Sequence, residues 1–263
     1  MKIPSFLPPS VRYDRLSFVV FVFIVVLLLA SAVTRRLESF TQAVMIDIKP
    51  LNGGARMISD ADVRQLLLES FGNTLNGTEL QNMEVERMER VLESDPFVAD
   101  ADVYIDQRNI LRIRVVQREP MLRVLDNQGG NYYLDAAGNK MPVSKHFTAR
   151  VMVATGNIAP YSTDFQEKKR NSLKDVYTLA RKLNEDELWS RFIQQIHVNN
   201  AGDLVMTPLI GDQSIILGSI RNLSDKLDRL KIFYREGMPY TGWQTYESLN
   251  LKYAGQVVCR KKH

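Results

Sequence analysis

Residues able to carry chemistry are few in this sequence and lie far apart. The three histidines, His146, His197 and His263, share no spacing that would bring them to one metal ion. The single Cys259 excludes an internal disulfide and a cysteine-based zinc site. Its basic neighbours could lower its pKa and make a reactive thiolate, while the alternative is an incidental cysteine near the terminus.

The segment DAAGN, which begins at Asp135, contains oxygen-bearing side chains that could coordinate a cation. The same residues are typical of a hairpin turn, because Gly138 and Asn139 tolerate a positive φ. The sequence has no glycine-rich phosphate loop, no HExxH zinc helix and no GxSxG nucleophile turn. We therefore expect no enzymatic activity, no cofactor, no metal and no small-molecule substrate.

The composition is typical of a folded globular protein. Of the 263 residues, 45% are hydrophobic and 24% are charged, which argues against extensive disorder. The formal charge is +4, and the basic residues are scattered except in EKKRNSLK and the terminal RKKH. Because a nucleic-acid footprint usually forms a dense basic face, we expect no nucleic-acid partner.

One apolar run near the N-terminus is long enough to cross a membrane. From Leu16 to Val33, about 18 residues, the polar residues are two serines. The small residues at 30–32 allow an alternative, a cleaved signal peptide, but such peptides have shorter apolar regions. The sequence therefore predicts a cytoplasmic tail at 1–15 and an uncleaved transmembrane helix at 16–34, with the later domains outside the cytoplasm.

The next segment, 43–118, predicts a small module with the order strand, helix, helix, strand, strand. Ser59 and Asp62 have the spacing of a capping box at the start of the first helix, and Gly72 is placed to end it. In 97–106 and 110–116, apolar residues alternate with acidic and basic residues respectively. This pattern predicts an antiparallel hairpin with ion pairs across the strands.

The segment 119–259 predicts a mainly antiparallel β domain with two helices, followed by a short basic tail at 260–263. One helix is expected at 163–183, and the second at 222–236, where Gly237 would end it. In the last strand, Leu249, Leu251 and Tyr253 alternate with polar residues. The predicted fold is thus a single transmembrane helix followed by two α+β domains.

The order of these segments resembles a known family. A strand-helix-helix-strand-strand module directly after a span resembles a POTRA domain. The continuation, IRVVQREPMLRV, GGNYYLDAAGNKMPVS, RVMVATG and SLNLKYAGQVV, is similar in order and spacing to the FtsQ/DivIB family of bacterial cell-division proteins. The resemblance extends from the span to the last strand.

This resemblance implies a non-enzymatic bitopic scaffold of the divisome, in the inner membrane at the division septum, with its domains in the periplasm. Such scaffolds link early and late division proteins to septal peptidoglycan synthesis. The implied partners are FtsB- and FtsL-like coiled-coil proteins and other divisome membrane proteins. In the family, one partner segment adds as a strand to an edge of the β domain.

The resemblance also implies a partner-binding edge strand near the C-terminus. The family's basic-aromatic pair matches Lys252 and Tyr253, which we expect to supply a charge contact and a packing anchor. The expected neighbours in that edge strand are Asn250, Leu251, Ala254 and Gly255. The alternative is that Leu249, Leu251 and Tyr253 face the core and bind no partner.

Two other function classes are open. An envelope assembly factor would use the POTRA-like module to handle outer-membrane proteins, but one module without a barrel-length series of strands argues against it. A membrane-tethered enzyme, such as a wall hydrolase, would need acidic or histidine side chains that converge only in the fold.

Overall fold

The computed structural model describes residues 15–37, 40–72 and 75–262. Helix α1 spans Arg15–Leu37. No helix among the described residues has the length and hydropathy required of a membrane span. Except for residue 15, the predicted cytoplasmic tail lies outside the described residues, as does residue 263 at the other end of the chain.

The first sheet is built by the segment that follows α1. Its elements occur in the predicted order of strand, helix, helix, strand and strand, with a 3-10 turn at Leu80–Asn82 before the second helix. They are β1 (Ala43–Lys49), α2 (Asp60–Phe71), α3 (Val85–Glu93), β2 (Val98–Ile105) and β3 (Ile110–Gln117). Among the described residues these strands form a three-stranded small sheet in the order β1-β3-β2, with β1 parallel and β2 antiparallel to β3.

The start and end of α2 confirm the signals in the sequence. The Ser59 hydroxyl accepts a hydrogen bond from the backbone N–H of Asp62, and the Asp62 carboxylate accepts one from the backbone N–H of Ser59. Gly72 ends the helix with φ 70°, a left-handed conformation that glycine adopts without steric cost.

The predicted hairpin is formed by β2 and β3. Asp102 lies opposite Arg114, and their side chains form an ion pair of 3.6 Å. Strict alternation along 97–106 predicts that Val98 lies on the outer face with Asp100 and Asp102. This prediction was wrong, because Val98 is fully buried. A shift of register between Val98 and Asp100 explains the difference, since a bulge reverses the direction of the side chains before it.

The second sheet contains the remaining strands. They are β4 (Pro120–Asp126), β5 (Asn131–Asp135), β6 (Lys140–Met141), β7 (Met152–Gly156), β8 (Ile193–Val198), β9 (Leu204–Pro208), β10 (Ser214–Gly218), β11 (Tyr246–Asn250) and β12 (Val258–Lys261). Among the described residues they form a nine-stranded large sheet in the order β12-β11-β10-β9-β8-β7-β4-β5-β6. Five of these pairings are antiparallel and three are parallel, so the sheet is mixed but mainly antiparallel.

Two longer helices accompany the large sheet, as predicted, but their bounds differ. Helix α4 is Ser172–Asn184 and starts nine residues later than expected, because the Asn171 side chain caps it by accepting a hydrogen bond from the backbone N–H of Lys174. A short helix not predicted from the sequence, α5 (Glu187–Phe192), follows it.

The second longer helix, α6 (Leu223–Ile232), does not end at Gly237. The chain continues through a π-helical turn at Phe233–Gly237 into α7 (Met238–Thr241). Gly237 has helical dihedrals, with φ −89°, and Gly242 ends the run with φ 85°. Side chains of α4 and α6 are buried in one core with those of the large sheet, among them Val124, Leu179, Ile196, Leu227 and Leu249.

The two sheets meet in a junction that is both apolar and polar. Leu51 and Met57 from the first segment are buried against Tyr133 and Met141 of the large sheet. Gln117 is 4% exposed and sits in the strand that leads to the junction. Its side-chain oxygen accepts hydrogen bonds from the backbone N–H groups of residues 57 and 58, at 2.6 and 3.3 Å.

Arg118 crosses the same junction. Its guanidinium forms an ion pair of 2.9 Å with Asp135 of β5 and donates a hydrogen bond to the backbone oxygen of Val98 in β2. Because Arg118 contacts both sheets, it links the small sheet to the large sheet at the connection between β3 and β4. The predicted domain limits, 43–118 and 119–259, stay predictions.

Candidate partner-binding edge

The segment predicted to be the edge strand lies elsewhere in the fold. Asn250 is the last residue of β11, where it pairs with Ile216 of β10 on one side and Val258 of β12 on the other. Leu251 is fully buried, and its backbone N–H donates a hydrogen bond to the oxygen of Ile216. The prediction that Asn250–Gly255 forms an edge strand was therefore wrong.

The reason is a local turn that alternation could not reveal. The side-chain oxygen of Asn250 accepts a hydrogen bond of 3.0 Å from the backbone N–H of Lys252, which ends the strand. Lys252, Tyr253, Ala254 and Gly255 then form part of the connection between β11 and β12. We call residues 251–257 the β11–β12 turn.

Lys252 is bound within its own chain. Its ammonium forms an ion pair of 2.7 Å with Asp203 of the β8–β9 loop, and this hydrogen bond raises the pKa of Lys252 above its ordinary value. Its aliphatic part lies over Gly218, where an added Cβ would come within 2.8 Å of the lysine Cγ. Lys252 thereby connects the β11–β12 turn to the ends of β8 and β10.

Tyr253 projects from this turn with its side chain largely free. It is 53% exposed, so the alternative that it faces the core is wrong for Tyr253, although it is correct for Leu249 and Leu251. Its backbone oxygen accepts a hydrogen bond from Arg229 of α6, which also donates to the oxygen of Gln256. Arg229 thus holds the turn while the Tyr253 ring faces solvent.

The actual edge of the large sheet at this end is β12. Val258 is 42% exposed, and Arg260 pairs with Glu247 at 2.6 Å. Arg260 and Lys261, which we expected in a basic tail, belong to this strand. The run VVCRK after Gly255 is the short sequence signal that could have revealed it.

The outward backbone groups of β12 follow from its pairing. The N–H of Lys262 donates to the oxygen of Thr245, so it points towards β11. Because these groups alternate along a strand, the N–H groups of Cys259 and Lys261 point away from the sheet. Within the described residues, no side chain forms a hydrogen bond to the backbone of Val258–Lys261.

The other sheet edges are protected. Arg64 donates a hydrogen bond of 3.0 Å to the oxygen of Val44 in β1, and Glu89 accepts one of 2.8 Å from the N–H of Val103 in β2. At the far edge of the large sheet, β6 has two residues and is followed by Pro142, which has no N–H to donate. β12 is therefore the edge best suited to pair with another strand.

The residues considered for chemistry do not converge. No group of three histidine, cysteine, aspartate or glutamate residues among the described residues could hold a metal ion. Burial raises the pKa of the Cys259 thiol, which argues against a reactive thiolate and favours the alternative of an incidental cysteine. Asp135 accepts hydrogen bonds from the backbone N–H groups of Ala137 and Asn139, which confirms the hairpin turn.

Comparison with known families gives two matches. A family model described as "FtsQ/DivIB, C-terminal related" matches residues 119–260, which is more than half of the chain. The chain belongs to the FtsQ/DivIB family. A second model, described as a POTRA-like domain, matches residues 40–116 of this family member. The resemblance inferred from the sequence is confirmed.

One curated relative of this chain is the cell division protein FtsQ of Salinibacter ruber. The two chains are 28% identical over 174 residues. The match covers 64% of this chain and 66% of the relative, so this chain spans slightly less than two thirds of the relative's length.

Proposed function

We propose that this chain is a non-enzymatic scaffold of the bacterial divisome. It links early and late division proteins to septal peptidoglycan synthesis through protein contacts outside the cytoplasm. The observation that carries the proposal is the open edge of β12 in a chain of the FtsQ/DivIB family. Unpaired backbone groups at such an edge bind an extended segment, and alternate side chains select it.

The proposal includes a membrane anchor at 16–34, with the N-terminus in the cytoplasm. The support is the apolar run from Leu16 to Val33. Phe18, Phe21 and Phe23 on α1 are each 64% exposed, and such a series of apolar side chains is unfavourable in water. The anchor then lies in the inner membrane. The POTRA-like domain (43–118) and the β domain (119–259) lie in the periplasm.

The proposed partners are FtsB- and FtsL-like proteins. A segment of one of these partners adds as a strand to β12. Anchoring on the same membrane raises the effective concentration of such partners, so a short edge of four residues can suffice. Because β11 is paired on both sides, the added strand lies along Val258–Lys261 and not along Asn250–Gly255.

The β11–β12 turn gives this edge its specificity. Tyr253 is the exposed aromatic side chain of the turn, and we assign it the role of a packing anchor. Lys252 holds the turn through Asp203, so it reaches a partner's carboxylate only if that carboxylate displaces Asp203. Asn250, Leu251, Ala254 and Gly255 support the turn as neighbours.

Depletion of the protein from growing cells tests the proposal. Long, multinucleate filaments with few completed septa are the expected result, and cell length and septum number are the measurements. Normal septation with altered outer-membrane protein content would instead support a role in envelope assembly and contradict a divisome scaffold.

A further inference from the structure

A second concave surface lies far from β12, where β4, β7 and β8 begin. It is a groove of about 1070 Å³ that runs along these strands as far as Leu125 and Thr155 and reaches the last turn of α4. The half-buried side chains of Met121, Val151 and Val153 form its apolar part. Three strands of the large sheet separate β12 from β8, the groove strand nearest to it, so this groove is distinct from the partner-binding edge.

The groove continues towards the first domain. A smaller groove of about 500 Å³ reaches residues 51–55 and has a common border with the larger one. The residues that line both are Glu119, Pro120, Ala149, Arg150 and Val151. We call the two together the junction groove, because it runs from the β domain to the connection between the two sheets.

The junction groove carries cations that are not neutralised. Arg150, Arg181 and Arg191 line it, and Arg191 pairs with Glu187 at 3.0 Å. Among the described residues, Arg150 and Arg181 form no ion pair and no hydrogen bond through their guanidinium groups, and both are exposed. Two arginines are therefore available to bind carboxylates.

The acidic residues of the junction groove are already engaged. Glu185 forms an ion pair of 3.0 Å with Lys182, and Glu119 accepts a hydrogen bond of 3.0 Å from Asn52. Lys182 offsets the charge of Glu185, whereas the Asn52 amide is neutral and leaves the charge of Glu119 in place, so the three arginines of the larger groove outnumber its two carboxylates. The groove therefore complements an acidic ligand.

The border between the two grooves also offers free backbone groups. From residue 147 to residue 151, side chains are alternately half-buried and exposed, which is the pattern of an extended chain. In the part of the chain that the structure describes, the backbones of Phe147, Thr148 and Arg150 form no hydrogen bond. An extended segment with unpaired backbone groups can pair with a second extended segment.

We propose that the junction groove binds an extended, acidic peptide segment of a partner protein. Carboxylates of the peptide pair with Arg150 and Arg181, its apolar side chains pack on Met121 and Val153, and its backbone pairs with residues 147–151. The groove is a second docking surface beyond the β12 edge of the proposed function.

Fluorescence anisotropy with the full chain in lipid nanodiscs tests this proposal. The probe is a fluorescein-labelled decapeptide of alternating valine and glutamate. The double variant R150E/R181E is expected to weaken binding by about tenfold or more, because two attractive contacts become repulsive. The matched control, R170E, changes an exposed arginine outside the groove and is expected to leave binding within about twofold of the wild type.

Equal binding by the double variant and the control would overturn the proposal, as would the absence of binding at about 1 mM protein, where even a weak site is occupied. A probe with N-methyl groups on alternate residues tests the backbone pairing and is expected to lose binding. Retained binding would contradict that pairing. Because depletion measures septation and does not depend on binding of this probe, failure of the probe would leave the depletion result unaffected.

Discussion

The Asp62 carboxylate lies 2.6 Å from the Nε2 atom of His146, and this contact joins the first helix of the POTRA-like domain to the loop between β6 and β7. The same carboxylate accepts hydrogen bonds from Ser59 within its own helix cap and forms an ion pair of 2.7 Å with Lys145. One side chain therefore both caps α2 and holds the two domains together.

Replacement of Asp62 by asparagine is expected to lower the free energy of unfolding by about 1–2 kcal/mol, because the cap weakens and Lys145 and His146 lose the carboxylate that they contact. Chemical denaturation measures the change. The matched control is D60N in the same first turn, where the nearest cation is Arg56 at 3.8 Å and both side chains are about half exposed. D60N is expected to lower the free energy of unfolding by less than about 0.5 kcal/mol.

The effect of D62N depends on pH with a defined sign. Burial alone would raise the pKa of Asp62, but hydrogen bonds from Lys145, Ser59 and His146 outweigh it and hold the pKa well below its ordinary value. A carboxylate with a lowered pKa stabilises the fold fully above its unfolded pKa of about 3.9 and loses this contribution as the pH falls through the folded pKa. The difference in the free energy of unfolding between the wild type and D62N should therefore narrow below about pH 4. If this difference were unchanged in strong acid, the lowered pKa of Asp62 would be contradicted.

The buried Gln117 gives a second prediction. Its side chain bonds three backbone groups, the N–H groups of Met57 and Ile58 and the oxygen of Lys49. Q117L leaves these groups without partners and is expected to destabilise the chain by about 2–3 kcal/mol. Thermal unfolding should show the loss for Q117L and almost none for Q107L, which changes an exposed residue of the β2–β3 turn.

Helix caps and turns, whose partners lie within a few residues of each other, could be predicted from the sequence. Pairings between strands that are distant in the chain could not. The caps at Ser59 and Gly72 and the turn at Asp135 involve partners at most four residues apart, so their residue types were sufficient. The bulge at Val98 depends on how β2 pairs with β3, and residue alternation alone does not encode that pairing.

The candidate site shows the same limit. The sequence predicted an edge strand from Asn250 to Gly255, whereas the edge strand at this end of the large sheet is β12, which begins at Val258. The order of strands decides which one is the edge, and β11 lies between β10 and β12 only because distant segments meet. The side-chain bond from Asn250 to Lys252 then interrupts an alternation that would otherwise predict a longer strand.

The ion pair between Lys252 and Asp203 gives a third prediction. K252E places two carboxylates together, so amide hydrogen exchange in the β11–β12 turn should become faster. The charge swap D203K/K252E should restore slow exchange and, if Lys252 acts by holding the turn, also restore co-purification of the partners. Loss of co-purification in the swap, with slow exchange restored, would show that Lys252 itself contacts the partner.

A fourth prediction concerns the exposed ring of the turn. Y253A is expected to reduce co-purification of the FtsB- and FtsL-like partners at least about fivefold, since aromatic anchors at interfaces often contribute more than about 1 kcal/mol. Y240A is the matched control, because Tyr240 is 89% exposed and lies on α7. Equal loss in both variants would argue against a specific role for Tyr253.

The fifth prediction tests the β12 edge directly by co-purification of the partners with full-length K261P and K261A chains. Proline at 261 removes an N–H that points away from the sheet, so the fold should persist while strand addition is blocked. K261A removes the same charge and keeps the N–H. We predict that K261P loses the partners and fails to restore septation, whereas K261A retains both. Full partner capture by a folded K261P chain would contradict strand addition at β12.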